Sequence, residues 1–243
     1  MSYVLIIGAK SDIAKATARE YAKNGYNLYL NGRNINELEA FQNDLKIRSN
    51  VEVELKEFDI TDFNSHEDFF NSLNPKPLGT IVVAGYMAEQ KECENDFTKT
   101  LNTINVNYTG AVSILNIVAN EYEKQKNGFI IGVSSVAGDR GRKANYIYGS
   151  SKAAFTAYLS GLRNRLYDSK VNVLTVKPGF VNTKMTEHLD LPAKLTAQPE
   201  EVAQDIFDAQ QKGKDIIYTK SIWRLIMLII KNIPEWKFKG MSI

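Results

Sequence analysis

Short apolar runs alternate with longer amphipathic stretches along the chain. The first run, Tyr3–Ile7, is followed by a turn at Gly8, a stretch of helical periodicity that ends at Gly25, and a second run, Tyr26–Leu30. Because continuous apolar strands are typical of a parallel sheet covered on both faces, this alternation predicts buried parallel strands separated by helices. The further predicted strands are Val51–Phe58, Thr80–Ala84, Phe129–Val133, Val171–Val176 and Ile216–Tyr218.

The predicted helices lie between these strands. They begin near Ile35 and Asn64 and extend over Asp96–Tyr122, Tyr148–Asp168 and Pro199–Gln211. Strands that alternate with helices predict an α/β fold with a Rossmann-type doubly wound parallel sheet, whose ligand crevice lies at the carboxyl ends of the strands. Since the 243 residues contain no repeat and no linker, we expect a single domain, 1–243, with 221–243 as an apolar and basic C-terminal extension.

Composition and charge narrow the functional classes. The net charge is only +2 and no arginine-rich run is present, so nucleic acid is not an expected partner. A lone cysteine, Cys93, cannot form an internal disulfide, and the N-terminus enters an apolar strand without a charged leader. We therefore expect a cytoplasmic protein, and we expect no metal site.

The turn after the first strand has the position of a dinucleotide-binding site. Asp12 and Ala14 occupy later positions where a glycine-rich motif has glycines, and a plain strand-to-helix turn is the alternative interpretation. We expect Asp12 to cap the helix rather than to bind an anion directly. The residues whose position suits a pyrophosphate, at the positive end of the helix, are Gly8, Lys10, Ser11 and Ile13.

The end of the second strand indicates which dinucleotide is bound. An enzyme specific for NAD places an acid there for the ribose 2′-hydroxyl, whereas this chain has Arg33. The planar guanidinium suits a 2′-phosphate, and Lys10 adds a positive charge, so NADP(H) is favoured and NAD(H) is the alternative. The alternative interpretation of Arg33 and of Lys10 is a solvated cation on the protein surface. After the third strand, Asp59 and Ile60 are candidates to meet the adenine, although such an Asp also serves as a turn residue.

A tyrosine and a lysine at helical spacing form the candidate catalytic pair. Tyr148 and Lys152 share one face of a predicted helix. We expect the cation to lower the pKa of the phenol from its usual value of about 10, which makes Tyr148 a usable acid. Ser135 follows a strand and is placed to hydrogen-bond a carbonyl oxygen, with Ser134 as its rival. The alternative interpretation of the Tyr148 and Lys152 pair is an ordinary amphipathic helix surface. Tyr146 is not a candidate acid, because no cation lies four residues after it.

Two further segments are candidates to complete the site. Asn107 lies among poor helix formers inside a helical run, which indicates a bend or a held water. A rigid turn after the sixth strand is placed to hold the nicotinamide carboxamide, with a structural loop as the alternative. Its candidate residues are Pro178, Gly179, Val181 and Thr183.

Taken together, these motifs resemble the short-chain dehydrogenase/reductase family over nearly the whole chain. The resemblance implies an NAD(P)-dependent oxidoreductase acting on CH–OH or C=O groups, with a catalytic Ser-Tyr-Lys group, an Asn that orders a water in the proton relay, and homodimers or homotetramers. The family usually has Asn-Asn-Ala-Gly where this chain has Val83-Ala84-Gly85, which adds Ala84 and Gly85 to the cofactor site. The residues that carry the resemblance are the glycine turn, Asp59, Asn107, Ser135, Tyr148, Lys152, Pro178-Gly179 and Thr183.

A narrower likeness suggests the substrate. Residues 135–148, 176–179 and 233–239 resemble the decaprenylphosphoryl-ribose 2-keto-reductase group, which implies reduction of a lipid-linked keto-pentose. A reductase or dehydrogenase acting on a small-molecule ketone or alcohol, and a catalytically idle dinucleotide-binding module or partner subunit, are the alternatives. The apolar run 222–230 is too short to span a bilayer. With its aromatic and basic flanks, 221–243 suits peripheral contact at the inner face of a membrane, or burial against the core or another subunit.

Overall fold

The computed structural model describes residues 1–187 and 189–241, and its central feature is a parallel sheet. The strands are β1 (Tyr3–Ile7), β2 (Asn27–Gly32), β3 (Val53–Glu57), β4 (Gly79–Val82), β5 (Phe129–Val133), β6 (Asn172–Pro178), β7 (Phe180–Val181), β8 (Thr196–Ala197) and β9 (Ile216–Thr219). Seven of them form the sheet in the order β3-β2-β1-β4-β5-β6-β9, all parallel, and β7 pairs with β8. The predicted doubly wound sheet is confirmed, and each of its strands corresponds to a predicted one.

Helices cover both faces of the sheet. They are α1 (Asp12–Lys23), α2 (Glu39–Ser49), α3 (His66–Ser72), α4 (Gln90–Asn95), α5 (Phe97–Ile104), α6 (Gly110–Gln125), α7 (Tyr146–Arg165), α8 (Pro199–Gln211), α9 (Ile222–Asn232) and α10 (Glu235–Phe238). A π-helical turn, Asn105–Thr109, joins α5 to α6 without a break. The predicted bounds of α8 are correct, whereas α7 begins two residues before its predicted start and α4, α9 and α10 were not predicted as helices.

Alternate residues of each strand feed two apolar layers. In β1, Val4 and Ile6 enter the layer beneath α1 and α8, whereas Leu5 and Ile7 enter the layer beneath α6 and α7. This arrangement explains why central strands such as β1 and β5 are apolar at successive positions, since both of their faces are buried. No helix within 1–187 and 189–241 is long and apolar enough to cross a membrane.

The strand order reverses direction at β1. This strand pairs with β2 on one side and with β4 on the other, so the connections that leave β1 and β4 run to opposite sides of the sheet. The loops at their carboxyl ends therefore diverge and leave a crevice, as expected at the switch point of a doubly wound sheet.

Candidate active site

A crevice of about 390 Å³ opens at the carboxyl ends of β1, β2 and β4. Gly8 has a φ of 86°, and a Cβ atom at this position would lie 2.7 Å from the Ala84 backbone. Only glycine therefore permits both the turn and the close approach of the two strand ends. The predicted site residues that line the crevice are Gly8, Lys10, Ser11, Arg33, Asp59, Ile60, Ala84 and Gly85.

The start of α1 differs from the prediction. Ser11, and not Asp12, is the N-cap residue, because its Oγ accepts a hydrogen bond from the Ala14 amide at 3.2 Å. The expectation that Asp12 caps the helix is wrong: Asp12 already lies in the first turn, and its Oδ2 accepts from the Lys184 backbone amide at 2.9 Å. Asp12 thus ties the start of α1 to the segment that follows β7.

Two cations stand at the outer end of this crevice, with different surroundings. The Arg33 side chain is 69% exposed, and its nearest acid is Asp59, with the two charged groups 3.9 Å apart. Lys10 Nζ pairs with Glu37 at 2.7 Å. Arg33 is therefore free to turn toward a phosphate, whereas Lys10 is already neutralised. Because Glu37 lies in a 3₁₀ turn beyond β2, the spacing of the sequence did not reveal this partner.

Asp59 and Asn31 present polar atoms to the same crevice. Burial acts to raise the pKa of Asp59, but hydrogen bonds from the Thr61 amide and hydroxyl outweigh it and hold the pKa below its usual value. Asn31 is fully buried, and its Oδ1 accepts from the Gly8 amide at 3.3 Å. Its Nδ2 has no hydrogen-bond partner among the described residues. No sequence motif marks Asn31 as a site residue, although it lines the crevice and its amide donor could meet an acceptor of a bound dinucleotide.

A second cavity of about 300 Å³ continues from the first and shares Lys10, Ser11, Val83 and Gly85 with it. Together the two cavities form one cleft, and every predicted site residue except Asn107 lines it. The predicted residues in the second cavity are Ile13, Ser135, Tyr148, Lys152, Pro178, Gly179, Val181 and Thr183.

Tyr148 and Lys152 lie one turn apart near the start of α7. Lys152 Nζ is 5.8 Å from the centre of the Tyr148 ring and donates a hydrogen bond to the Val133 carbonyl at 3.0 Å. Burial lowers the pKa of Lys152 to about 8 and raises the pKa of Tyr148 to about 12. The expected lowering of the Tyr148 pKa by Lys152 is therefore wrong for this state of the protein, because burial dominates and the ammonium binds a carbonyl.

The two candidate serines have different partners. Ser134 is buried, and its Oγ hydrogen-bonds the Lys152 carbonyl at 2.9 Å and the Thr156 hydroxyl at 2.7 Å, so it fastens α7 to the end of β5. The Ser135 Oγ instead accepts from the Ala137 amide at 3.1 Å and lies near the Tyr148 hydroxyl, where it acts to lower the pKa of the phenol. The geometry therefore places Ser135, and not its rival, beside Tyr148. Tyr146 lies outside the cleft and donates to Glu94.

Asn107 is buried within the π-helical turn and joins two other parts of the site. Its Nδ2 donates to the Tyr86 carbonyl at 2.8 Å and to Ser151 Oγ at 3.0 Å, while its Oδ1 accepts from the Tyr86 amide at 2.7 Å. Such π turns occur frequently at functional sites. The poor helix formers around Asn107 widen the helix instead of ending it, and Asn107 fixes the loop after β4 against α7.

A buried ion pair supports the turn after β6. Lys177 Nζ lies 2.6 Å from Asp139 Oδ1, and the Tyr218 hydroxyl donates to Asp139 Oδ2 at 2.7 Å. Both charged side chains are almost fully buried. This network connects the loop after Ser135 with β6 and β9, and it holds Pro178 in place at the cleft. No sequence motif indicates this ion pair, because it joins segments that are distant along the chain.

Comparison with known proteins identifies the family. Residues 2–193 match the short chain dehydrogenase family. The chain belongs to this family. This short-chain dehydrogenase is 32% identical to an uncharacterized oxidoreductase of Mycobacterium tuberculosis, Rv2073c, with 98% of this chain and 96% of that protein aligned. It is 30% identical to an uncharacterized oxidoreductase of Streptomyces coelicolor, with 99% and 96% aligned.

Solved structures share the fold of this short-chain dehydrogenase. A short-chain dehydrogenase from Sphingobium yanoikuyae in complex with NADPH superposes with a TM-score of 0.83 at 22% identity, covering 97% of both chains. A 7β-hydroxysteroid dehydrogenase superposes with a TM-score of 0.86 at 21% identity, covering 98% of this chain and 95% of that one. These structures show its Rossmann-type fold, while the family match and the oxidoreductase relatives identify it as an oxidoreductase.

Proposed function

We propose that the enzyme reduces a ketone to a secondary alcohol, with Ser135, Tyr148, Lys152 and Asn107 as its catalytic group. The observation that carries this proposal is the meeting of Ser135, Tyr148 and Lys152 in one cavity that continues into the dinucleotide crevice. A catalytically idle dinucleotide-binding module has no need for a serine hydroxyl near a buried phenol and a buried ammonium in one cavity.

The residues of the cleft fit NADPH as the hydride donor. The Gly8 turn leaves the α1 N-terminus open to a pyrophosphate, the buried Asn31 amide has a free donor, and Arg33 is free at the outer end. When bound, NADPH supplies a hydride to the carbonyl carbon. The residues proposed to hold it are Gly8, Lys10, Ser11, Ile13, Arg33, Asp59, Ile60, Ala84, Gly85, Asn107, Tyr148, Lys152, Pro178, Gly179, Val181 and Thr183.

Each catalytic residue acts at a stated atom. Ser135 donates a hydrogen bond to the carbonyl oxygen and orients it. Tyr148 transfers its phenolic proton to that oxygen, which would otherwise carry the negative charge of an alkoxide. Lys152 stabilises the phenolate that remains and holds a ribose hydroxyl of the cofactor. Asn107 positions the loop after β4 and supports the relay that returns a proton to Tyr148.

The proposed substrate is a keto-pentose linked to a polyprenyl phosphate. The likeness of residues 135–148, 176–179 and 233–239 to the keto-reductase group supports this substrate, and we propose a cytoplasmic homodimer or homotetramer working at the inner face of a membrane. Initial rates with such a lipid-linked keto-pentose, compared with soluble ketones and with both NADPH and NADH, test the proposal. Turnover on soluble ketones alone would exclude the lipid-linked substrate, and cofactor binding without turnover on any carbonyl would favour an idle module.

Arg33 is expected to determine the preference for NADPH. Charge-assisted hydrogen bonds to a phosphate contribute about 1.5–3 kcal/mol, so Arg33→Ala should raise the KM for NADPH about 10- to 100-fold and leave the KM for NADH unchanged. Lys10→Ala is the control, and it should have a smaller effect because Glu37 already pairs with Lys10. Equal losses for both cofactors in Arg33→Ala would contradict this role.

The pH dependence of activity should follow Lys152. Its pKa of about 8 predicts that kcat/KM for NADPH falls as the pH rises through 8, because the ammonium loses its proton.

The free energy of unfolding of the cofactor-free protein should instead rise with pH over the same range. Above pH 8 the unfolded chain binds a proton that the folded protein has released, so the free energy of unfolding rises from pH 8 toward 10.5. Initial rates and melting temperatures across this range check both trends, and Lys152→Met should abolish the rise in stability.

A further inference from the structure

The inner face of α9 is packed against the wall of the catalytic cleft. Trp223, Met227 and Ile230 are buried in a cluster with Val136. The indole Nε1 of Trp223 donates to the Leu195 carbonyl at 3.0 Å. The inner face of α9 is thus anchored by apolar packing and by one hydrogen bond.

The outer face of α9 is also apolar. With about 100° between successive helical residues, the side opposite Trp223 and Met227 carries Leu225 and Ile229. These two and Leu228 are each more than half exposed. A helix that is apolar on both faces is normally covered on both, and contiguous exposed apolar surface marks an interaction site. In α10, Trp236 extends this exposed surface, with 74% of the side chain accessible.

Positive charge surrounds this apolar surface. Arg224 and Lys231 are exposed along one edge of α9, and Lys237 and Lys239 are exposed at α10 and just beyond it. Residues 220–241 contain five Lys or Arg and a single acid, a net charge of +4, whereas the whole chain has +2. The acid, Glu235, is paired with Arg140 at 2.8 Å and does not offset these cations.

Arg140 holds the two helices in a fixed orientation. Its guanidinium donates to the carbonyls of Ile230 at 2.7 Å, Lys231 at 3.2 Å and Ile233 at 2.6 Å, which lie at the carboxyl end of α9. It also lies 3.7 Å from the centre of the Phe238 ring. Because Arg140 belongs to the loop that follows Ser135, the outer surface is oriented rigidly relative to the catalytic cleft.

We infer that this C-terminal face, formed by Ile222, Leu225, Leu228, Ile229 and Trp236 with the surrounding cations, docks on a bilayer that contains anionic lipid. An apolar surface with tryptophan and a basic edge is typical of helices that lie in a membrane interface. A second copy of the chain fits less well, because symmetric pairing would bring the same four cations of both protomers together. Docking itself does not depend on the proposed reaction, whereas delivery of a lipid-linked substrate to the adjacent cleft does.

Vesicle binding of the full-length protein tests the inference. The protein should sediment with vesicles of phosphatidylcholine and phosphatidylglycerol in equal parts and far less with phosphatidylcholine alone, and added salt should weaken the binding. Leu225→Gln with Ile229→Gln, and separately Lys231→Glu with Lys237→Glu, should each reduce partitioning about tenfold or more. The controls are Ile47→Gln and Lys46→Glu on α2, where the same residue types are exposed far from this face.

The other outcomes contradict the inference in distinguishable ways. Equal binding of the face variants and the controls, or no sedimentation of the wild type, would overturn it. If the wild type does not sediment but the face variants change the mass found by light scattering, the face is a contact between copies of the chain. Turnover on a soluble ketone should be unchanged in the face variants. If the wild type turned over no carbonyl compound, the lipid-linked keto-pentose included, the proposed reaction would be refuted while vesicle binding could stay intact.

Discussion

Replacing Tyr148 with phenylalanine is expected to lower turnover about 100- to 10,000-fold while NADPH still binds. The substitution removes only the hydroxyl, which lies near Ser135 in the cavity, and general acid catalysis by a positioned side chain contributes a factor of this size. Initial rates of NADPH consumption measure the loss, and quenching or enhancement of nucleotide fluorescence measures binding. Because burial holds the pKa of Tyr148 at about 12, the phenol is protonated, and therefore ready to donate, throughout the neutral range.

Tyr146→Phe provides the matched control for this experiment. Tyr146 lies two residues away on the same helix, but its hydroxyl donates to Glu94 at 3.0 Å outside the cleft. Its removal should leave kcat and KM unchanged. Full turnover in Tyr148→Phe, or an equal loss in both variants, would show that the phenol of Tyr148 is not the acid.

The central strands could be predicted from the sequence because β1 and β5 are buried on both faces and carry apolar or small residues at every position. The runs Tyr3–Ile7 and Phe129–Val133 have the same bounds in the sequence pattern and in the structure. α9 could not be predicted in this way. Its apolar residues face both the core and the surface, so only the narrow edge of Arg224 and Lys231 marks the helical period. The π-helical turn at Asn107 has no periodic signature either, since poor helix formers indicate only a disturbance.

The site was predictable where its residues are close in sequence, and not where distant segments meet. Tyr148 and Lys152 are four residues apart near the start of a helix, so local helix geometry alone predicts that they share one face. The bond from Asp12 to the Lys184 amide joins residues 172 positions apart. The raised pKa of Tyr148 was not predictable either, because it depends on how completely the folded chain buries the phenol. Such properties arise only from packing.

The bond made by Asp12 also explains why an acid is tolerated at a position where a glycine-rich turn has glycine. The carboxylate accepts a backbone amide from the segment after β7, so it faces a donor rather than the space beside Gly8 that suits a pyrophosphate. Residues 183–186 of that segment line the catalytic cavity. The departure from the motif is therefore a structural link between the two ends of the cleft.

Gly138→Ala is expected to damage both stability and catalysis. A Cβ atom at Gly138 would lie 2.7 Å from the backbone of Lys152 and Ala153, and backbone atoms cannot move aside cheaply. The substitution should force the turn Val136–Gly138 away from α7 and cost about 1–3 kcal/mol, as overpacking does. Because this turn directly follows Ser135, the serine would shift relative to Tyr148, and a misplacement of about 1 Å can reduce the rate roughly 100-fold.

Gly141→Ala separates this effect from a general intolerance of the loop. Gly141 lies three residues further along, and a Cβ atom there meets nothing within 4 Å. The free energy of unfolding of the Gly141→Ala variant should stay within about 0.5 kcal/mol of the wild-type value, and its kcat should be unchanged. Chemical denaturation and initial rates on the same preparations provide both numbers. Gly138→Ala and Gly141→Ala could instead give the same result in both measurements. In that case the close contact between the Ser135 loop and α7 does not position the serine relative to the phenol, and other contacts must do so.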